Sequence, residues 1–206
     1  MRTAKTWFVL LALLLIPIAS VEASDRPSLL VAGFSSRVEK TDITMTDIDA
    51  PIAGMLSEAR TALFDELTDN HPPYEVVDFS KEVTRLRLDE TAIMNALGNG
   101  TVDPALAPAA DYIAYGYLTT LSNVKAQSGA LGLSGKDKTV YAELSLRVID
   151  THTGNVVFVT KADSRRKAEL TYHAIVHRND IGVDDAIRQA IEDAACNLAA
   201  NVRDAA

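Results

Sequence analysis

The sequence predicts an α/β fold: a mixed central β-sheet in the order β-α-β-α-β-β-β-α, with helices packed on it. Three observations carry this. Residues 139–150 (TVYAELSLRVID) alternate cleanly, with Val140, Ala142, Leu144, Leu146 and Val148 on one side and Tyr141, Glu143, Ser145 and Arg147 on the other, the pattern of a strand with one covered face. Residues 183–205 place Val183, Ile187, Ala190, Ile191, Ala194, Leu198 and Val202 on one helical stripe. Strand and helix patterns alternate through the first half of the chain, and three β-prone runs precede the closing helix.

In chain order, residues 28–38 (SLLVAGFSSRV) read as the first strand, and residues 39–49, with no clear period, as a loop. Asp49 is placed to cap a helix with Pro51 in its first turn, where a missing N–H costs little. Ile52, Leu56, Ala59, Leu63 and Leu67 then recur at three and four residues, a single buried stripe. His71-Pro72-Pro73 stops that helix, and residues 74–79 (YEVVDF) form a short strand. A second helix is predicted over 80–97, in two pieces or with a kink, ended by Gly98-Asn99-Gly100. Pro104 and Pro108 make 101–109 a connector. Residues 110–125 and 139–150 are strands, and Asp150 to Gly154 a tight turn in which the Asp side chain accepts backbone N–H groups and Gly supplies the positive φ. Residues 155–168 return as the hairpin partner, and 171–178 either extend the sheet or form an excursion. Asp184 and Asp185 fall in the first turn of the last helix, where its dipole favours them, and its alanines permit a close approach to the sheet.

The chain has 206 residues, 48 % apolar and 23 % charged, a globular composition sized for one domain. Its net charge of -8 argues against a nucleic-acid partner, because duplex binding needs a basic face to displace counterions. Residues 1–23 read as a signal peptide: Arg2 and Lys5, an apolar run from Trp7 to Ile18, and a small-x-small pattern ending at Ala23, so that Ser24 begins the mature chain. Residues 24–206 then form a single domain that does not span a membrane. A lipid anchor would need a cysteine after the cleavage point; that position is Ser24, and the one cysteine is Cys196, read as a small buried hydrophobe.

Motifs for chemistry are sparse. Gly129 to Lys136 (GALGLSGK) fails the phosphate-loop spacing and precedes a strand rather than a helix. His173 and His177 stand four apart, a separation that suits two metal ligands on a helix, but the glutamate of a metalloprotease helix is missing. Ser35-Ser36 beside Gly33 is the serine site a hydrolase would use, without a nucleophile-elbow pattern around it. Arg165-Arg166-Lys167 is the one basic run, at the end of a strand: either a solvated edge that resists further pairing or a contact point for an acidic partner or the envelope surface. No cofactor is expected.

Three pieces together resemble a known family. Ala110-Asp111-Tyr112-Ile113-Ala114-Tyr115-Gly116 resembles the "ADY-x-x-x-G" strand of the CsgG-type proteins of curli production, assembly and transport. Residues 146–157 (LRVIDTHTGNVV) resemble that family's "LRVVD-x-x-TGE" hairpin, and Ala186-Ile187-Arg188-Gln189-Ala190 its closing helix. The residues that carry the motifs are Asp111, Tyr112, Gly116, Asp150, Thr153 and Gly154. The resemblance implies a periplasmic α/β domain of the kind found in CsgG, LpoB and the TolB amino-terminal domain, with these residues shaping the fold and no catalytic, cofactor or metal residue. Such proteins work by contact with other envelope proteins or by self-association.

Two departures bear on function. The acylated cysteine is missing, and the stretches corresponding to the family's membrane hairpins, 126–138 and 164–182, fall short of the roughly 20 residues plus a turn that a bilayer demands. The first carries Lys136, Asp137 and Lys138, and the second Arg165, Arg166, Lys167 and Arg178. The expectation is a non-enzymatic periplasmic or secreted contact domain. The alternatives are a subunit of an oligomeric, outer-membrane-associated curli-type secretion assembly, and a hydrolase or metal-binding protein using Ser35, His173 or His177.

Overall fold

The computed structural model describes residues 26–38, 51–69, 74–125, 138–168 and 181–205. Ala23, Ser24, Asp49, His71, residues 129–136, residues 171–178, His173 and His177 lie outside the described residues.

Five strands form one sheet in the order β2-β1-β3-β4-β5. They are β1 (Ser28–Ser36), β2 (Glu75–Asp78), β3 (Tyr112–Lys125), β4 (Lys138–Asp150) and β5 (Val156–Ala168). β2, β1 and β3 run parallel, whereas β4 and β5 are added antiparallel, so the sheet is mixed as the sequence predicts. The helices are α1 (Ile52–Asp69), α2 (Phe79–Leu86), α3 (Glu90–Gly98) and α4 (Ile181–Asp204).

The predicted second helix is two helices. Asp78 caps α2 by accepting from the Lys81 amide at 3.2 Å, which starts the helix at Phe79 and ends β2 one residue early. Arg87 then turns left-handed, at φ 56°, and Asp89 opens α3 by accepting from the amides of Thr91 and Ala92. The chain leaves α3 through Gly100, at φ +80°, with the Thr101 amide bonded back to the Ala96 carbonyl.

Two cores lie on the two faces. On the first, α1 and α4 cover Leu29 and Val31 of β1, Leu118 and Leu121 of β3, and Val140, Ala142, Leu144, Leu146 and Val148 of β4. All five members of the apolar alternation in β4 are therefore buried together. The α1 stripe (Leu56, Ala59, Leu63, Leu67) and the α4 stripe (Ile187, Ala190, Ile191, Ala194, Leu198, Val202) face them. Each such leucine or isoleucine contributes about 1.5–3 kcal/mol relative to exposure. On the second face, Phe79, Val83, Ile93, Leu97 and Leu106 cover Leu30, Ala32, Ile113, Tyr115 and Tyr117. Because β1 is buried on both sides, its apolar run is continuous rather than alternating.

Register shifts set which side chains reach which face. Between Val31 and Gly33 the pairing of β1 with β3 slips by one residue, with Gly33 at φ +125°. The slip moves Phe34 from the face of Leu30 and Ala32 to that of Leu29 and Val31. A second shift, between Leu118 and Thr120, keeps Leu121 on the first face. A third leaves Val157 as the extra residue between Val156, opposite Ile149, and Phe158, opposite Val148.

Candidate contact surface

The helices on the second face end at Tyr117 and Ile149. Beyond them, among the described residues, no helix covers the strip made by Tyr141, Glu143, Ser145 and Arg147 of β4 and by Val159, Lys161, Asp163, Arg165 and Lys167 of β5. The β5 row of the strip is exposed, whereas on β4 Ser145 is buried and Tyr141, Glu143 and Arg147 are half-buried; the pairings Tyr141–Arg165, Glu143–Asp163, Ser145–Lys161 and Arg147–Val159 put these residues on one side of the pleat, while α4 packs on the other.

Tyr117 bounds the strip. Its hydroxyl donates to the carbonyls of Leu97 and Gly98 at 3.2 and 3.3 Å, the guanidinium of Arg37 lies 3.9 Å from its ring centroid, and Arg147 lies 5.4 Å away. Arg37 also donates to the Gly98 carbonyl. A cation at the last turn of α3 complements that helix dipole.

Glu143 is the hub of the strip. Its Oε1 accepts from Thr119 Oγ1 at 2.8 Å and from Lys161 Nζ at 3.2 Å, and its Oε2 accepts from the Tyr141 hydroxyl at 3.3 Å. The Thr119 hydrogen bond, with the Lys161 ammonium beside it, holds the carboxyl below its ordinary range. Burial, with Asp163 and Glu143 nearby, pushes the Tyr141 phenol up. Arg165 lies 5.5 Å from the Tyr141 ring.

At the near end of β5, Val156, Val157 and Val159 are 48, 54 and 55 % exposed. An apolar stretch on an outer strand invites further pairing. Next to it, α4 occupies part of the strand's rim: Asn201 Nδ2 donates to Thr160 Oγ1 at 2.9 Å and to the Lys161 carbonyl at 3.2 Å, and Asn197 Nδ2 donates to the Asp163 carbonyl at 3.3 Å.

The structure divides the basic run. Arg165 and Lys167 belong to the open strip, whereas Arg166 turns to the helix-covered face and pairs with Asp193 of α4, which also accepts from Ser164 Oγ at 3.2 Å. The run is therefore split between the two faces of the sheet. The Arg166 guanidinium holds the Asp193 carboxyl below its ordinary range.

The motif residues gather at the base of the sheet. Asp111 Oδ2 accepts from the amide and the hydroxyl of Ser28, both at 2.8 Å, and the Asp111 amide donates back to that hydroxyl at 3.0 Å. These bonds lower its pKa, the Ser28 amide foremost. Tyr112 stacks edge-on to Tyr74 with centroids 6.0 Å apart. In the β4–β5 turn, Asp150 Oδ1 accepts from the amides of His152 and Thr153 at 2.9 and 2.8 Å, and Gly154 has φ +71°. Buried Thr151 donates through Oγ1 to the Ala110 carbonyl, and its amide donates to the Asp111 carbonyl at 3.0 Å. Gly116 lies higher in β3, with the Phe34 ring lying against it.

Ser35 is half-buried near the end of β1, hydrogen-bonded to the Tyr115 phenol. His152, the one histidine among the described residues, lies by the opposite end of β1, with Nδ1 3.2 Å from Thr151 Oγ1. The described residues contain no group of three or more His, Cys, Asp or Glu positioned to hold a metal ion. Cys196 is a half-buried free thiol, and burial pushes its pKa up.

Two small clefts flank Arg60 of α1. One, of about 220 Å3, is lined by Val31, Phe64, Asp78 and Phe79; the other, of about 170 Å3, by Gly33, Ser57, Glu90 and Met94. Arg60 lays its stem on Gly33, donates to Ser80 Oγ at 3.2 Å and lies 3.9 Å from Glu90. Both clefts are below the roughly 300–1,000 Å3 of ordinary small-molecule sites.

No family model and no curated protein matches the chain. Among solved structures it is similar to the hypothetical protein CT253 from Chlamydia trachomatis, at 9 % identity over 86 % of this chain and 98 % of that one, with a TM-score of 0.50. It is also similar to lipoprotein GNA1162 from Neisseria meningitidis (15 % identity, 71 % of this chain and 88 % of that one, TM-score 0.42). The LpoB C-terminal domain from Salmonella enterica follows at 16 % identity, 67 % of this chain and 82 % of that one, TM-score 0.40. The likeness to CT253 is one of fold alone. Among the described residues no helix is long and apolar enough to cross a membrane.

Proposed function

We propose that this chain is a periplasmic or secreted CsgG-like α/β domain that works by contact with another protein of the cell envelope and catalyses no reaction. The observation that carries the reading is the open strip of β4 and β5, with exposed valines at one end and cations set beside tyrosine rings along it. Tyrosine and arginine are enriched at interface centres, and adjacent exposed apolar residues mark interaction sites where they form a contiguous patch. The amino-terminal segment read as a signal peptide supports the location, and the ordered motifs from Asp111 to Gly154 support the family resemblance.

Affinity purification of the chain from Ser24 onward out of its own cell envelope, with sizing of what elutes, tests this. The expected result is a stoichiometric complex with an envelope protein. Elution of the chain alone as a monomer overturns the reading. A detergent-stable ring fractionating with outer membranes would replace it with the curli-type assembly, and labelling of Ser35 by a serine-reactive probe would replace it with a hydrolase.

A further inference from the structure

We infer that the open strip docks an extended, acidic and aliphatic segment of the partner protein, laid on the second face along β4 and β5; this rests on the contact-domain reading above. Charge argues first. In a chain of net charge -8, the strip and its border hold Arg37, Arg147, Lys161, Arg165 and Lys167 against the two carboxylates Glu143 and Asp163. Lys161 is held by Glu143. Among the described residues no carboxylate is ion-paired with Arg147, Arg165 or Lys167, so the exposed Arg165 and Lys167 and the half-buried Arg147 are the strip's cations for an outside carboxylate. The guanidinium groups of Arg147 and Arg165 lie 5.4 and 5.5 Å from the ring centroids of Tyr117 and Tyr141, within cation–π range.

Shape argues second. The strip is two strands wide, about 10 Å, and from Val159 to Lys167 it runs roughly 26 Å, the footprint of one extended segment of about eight residues. Carboxylates on such a segment would meet Arg147, Arg165 and Lys167, and its aliphatic end would cover the exposed Val159. The rim argues third, for the face over the edge. Asn197 and Asn201 already donate to the β5 carbonyls at 163 and 161, which are the acceptors a sixth strand would need. An anionic bilayer is the less favoured source of the same charge. The cations alternate with Glu143 and Asp163 rather than forming a uniform field, and the net negative chain is repelled by such a surface.

The test uses the chain from Ser24 onward and fluorescein-labelled peptides of alternating Glu and Val or alternating Lys and Val, long enough to span the strip. The Glu-Val peptide should bind more tightly, with an affinity that falls as salt rises. It should lose about tenfold in R165E/K167E, whose replaced side chains are both exposed, and nothing in K81E on α2. Thermal melts of R165E/K167E and of the milder R165Q/K167Q keep folding separate from binding. Equal binding of the two peptides overturns the inference, and so does vesicle binding to phosphatidylglycerol that exceeds peptide binding and is lost in the same variants. In the envelope purification, a partner retained equally by wild type and R165E/K167E overturns this inference and leaves the contact-domain reading standing. Recovery of no partner by wild type overturns the reading itself.

Discussion

Replacing Gly116 by alanine would put a methyl carbon 2.5 Å from Cδ1 and Cε1 of Phe34 and 2.7 Å from the Ser145 carbonyl oxygen. Carbon atoms pack best at about 3.5–4.0 Å, so the overlap with the ring is about 1 Å or more. The ring is 7 % exposed within the α1–α4 core, and the carbonyl belongs to the middle of β4, paired on both sides. Neither can move without disturbing a strand or a packed layer. Overpacking of this kind costs about 1–3 kcal/mol. The lower chain entropy of alanine in the unfolded state offsets about 0.5–1 kcal/mol of that. The net loss of about 1–2 kcal/mol corresponds to a Tm lower by roughly 2–8 °C for a domain of this size. The assay is thermal unfolding of Gly116→Ala, Phe34→Ala and the double variant. Truncating Phe34 removes the larger clash, so the alanine at 116 should cost at least about 1 kcal/mol less in that background. A Tm unchanged by Gly116→Ala, or an equal cost in both backgrounds, would refute the close-approach account of this glycine.

Four other outcomes follow from the same geometry. Thr151→Val leaves the Ala110 carbonyl without its buried donor and should lower stability by about 1–3 kcal/mol in urea titration, with an unchanged m-value. Asp111, Glu143 and Asp193 have carboxyls held below their ordinary values of 3.8, 4.5 and 3.8. A depressed folded pKa gives stability that is complete above those values and lost as pH falls through the folded ones. Tm should therefore decline on acidification from about pH 4.5 downward, and less steeply in Asp111→Asn. A Cβ at Gly154 meets nothing within 4 Å, so the left-handed backbone sets the cost of Gly154→Val, about 1–3 kcal/mol by thermal melt. Asn197→Ala with Asn201→Ala bares the β5 rim beside the exposed valines and should raise light scattering on concentration while a far-ultraviolet spectrum stays native.

The parts of the fold that were legible in the sequence are those where period alone decides burial. The alternation from Val140 to Val148 and the stripes of α1 and α4 lie in one core, because nothing interrupts their repeat. The split between α2 and α3 was half-legible. Asp89 reads as a cap once a break is allowed, but Arg87, the only residue other than glycine at positive φ among the described residues, gives no composition signal. What periodicity misses is a change of parity inside a strand. Phe34 and Leu30 are both even-numbered and reach opposite faces, and Leu118 and Leu121 reach the same face across an odd spacing, because a residue is added to the ladder between them.

The same limit governs the surface chemistry. The outward residues Tyr141, Glu143 and Arg147 are evident from β4 alone. Glu143 becomes a hub only because the shift between Leu118 and Thr120 brings Thr119 against it, and because the hairpin register sets Lys161 within reach. In β5 the alternation separates Arg166 from Arg165 and Lys167, so three adjacent cations serve two purposes: one ties the strand to α4, and two face outward. A run of like charges on a strand is thus a statement about both faces of a sheet, and only the face left without a helix can convert it into affinity for a partner.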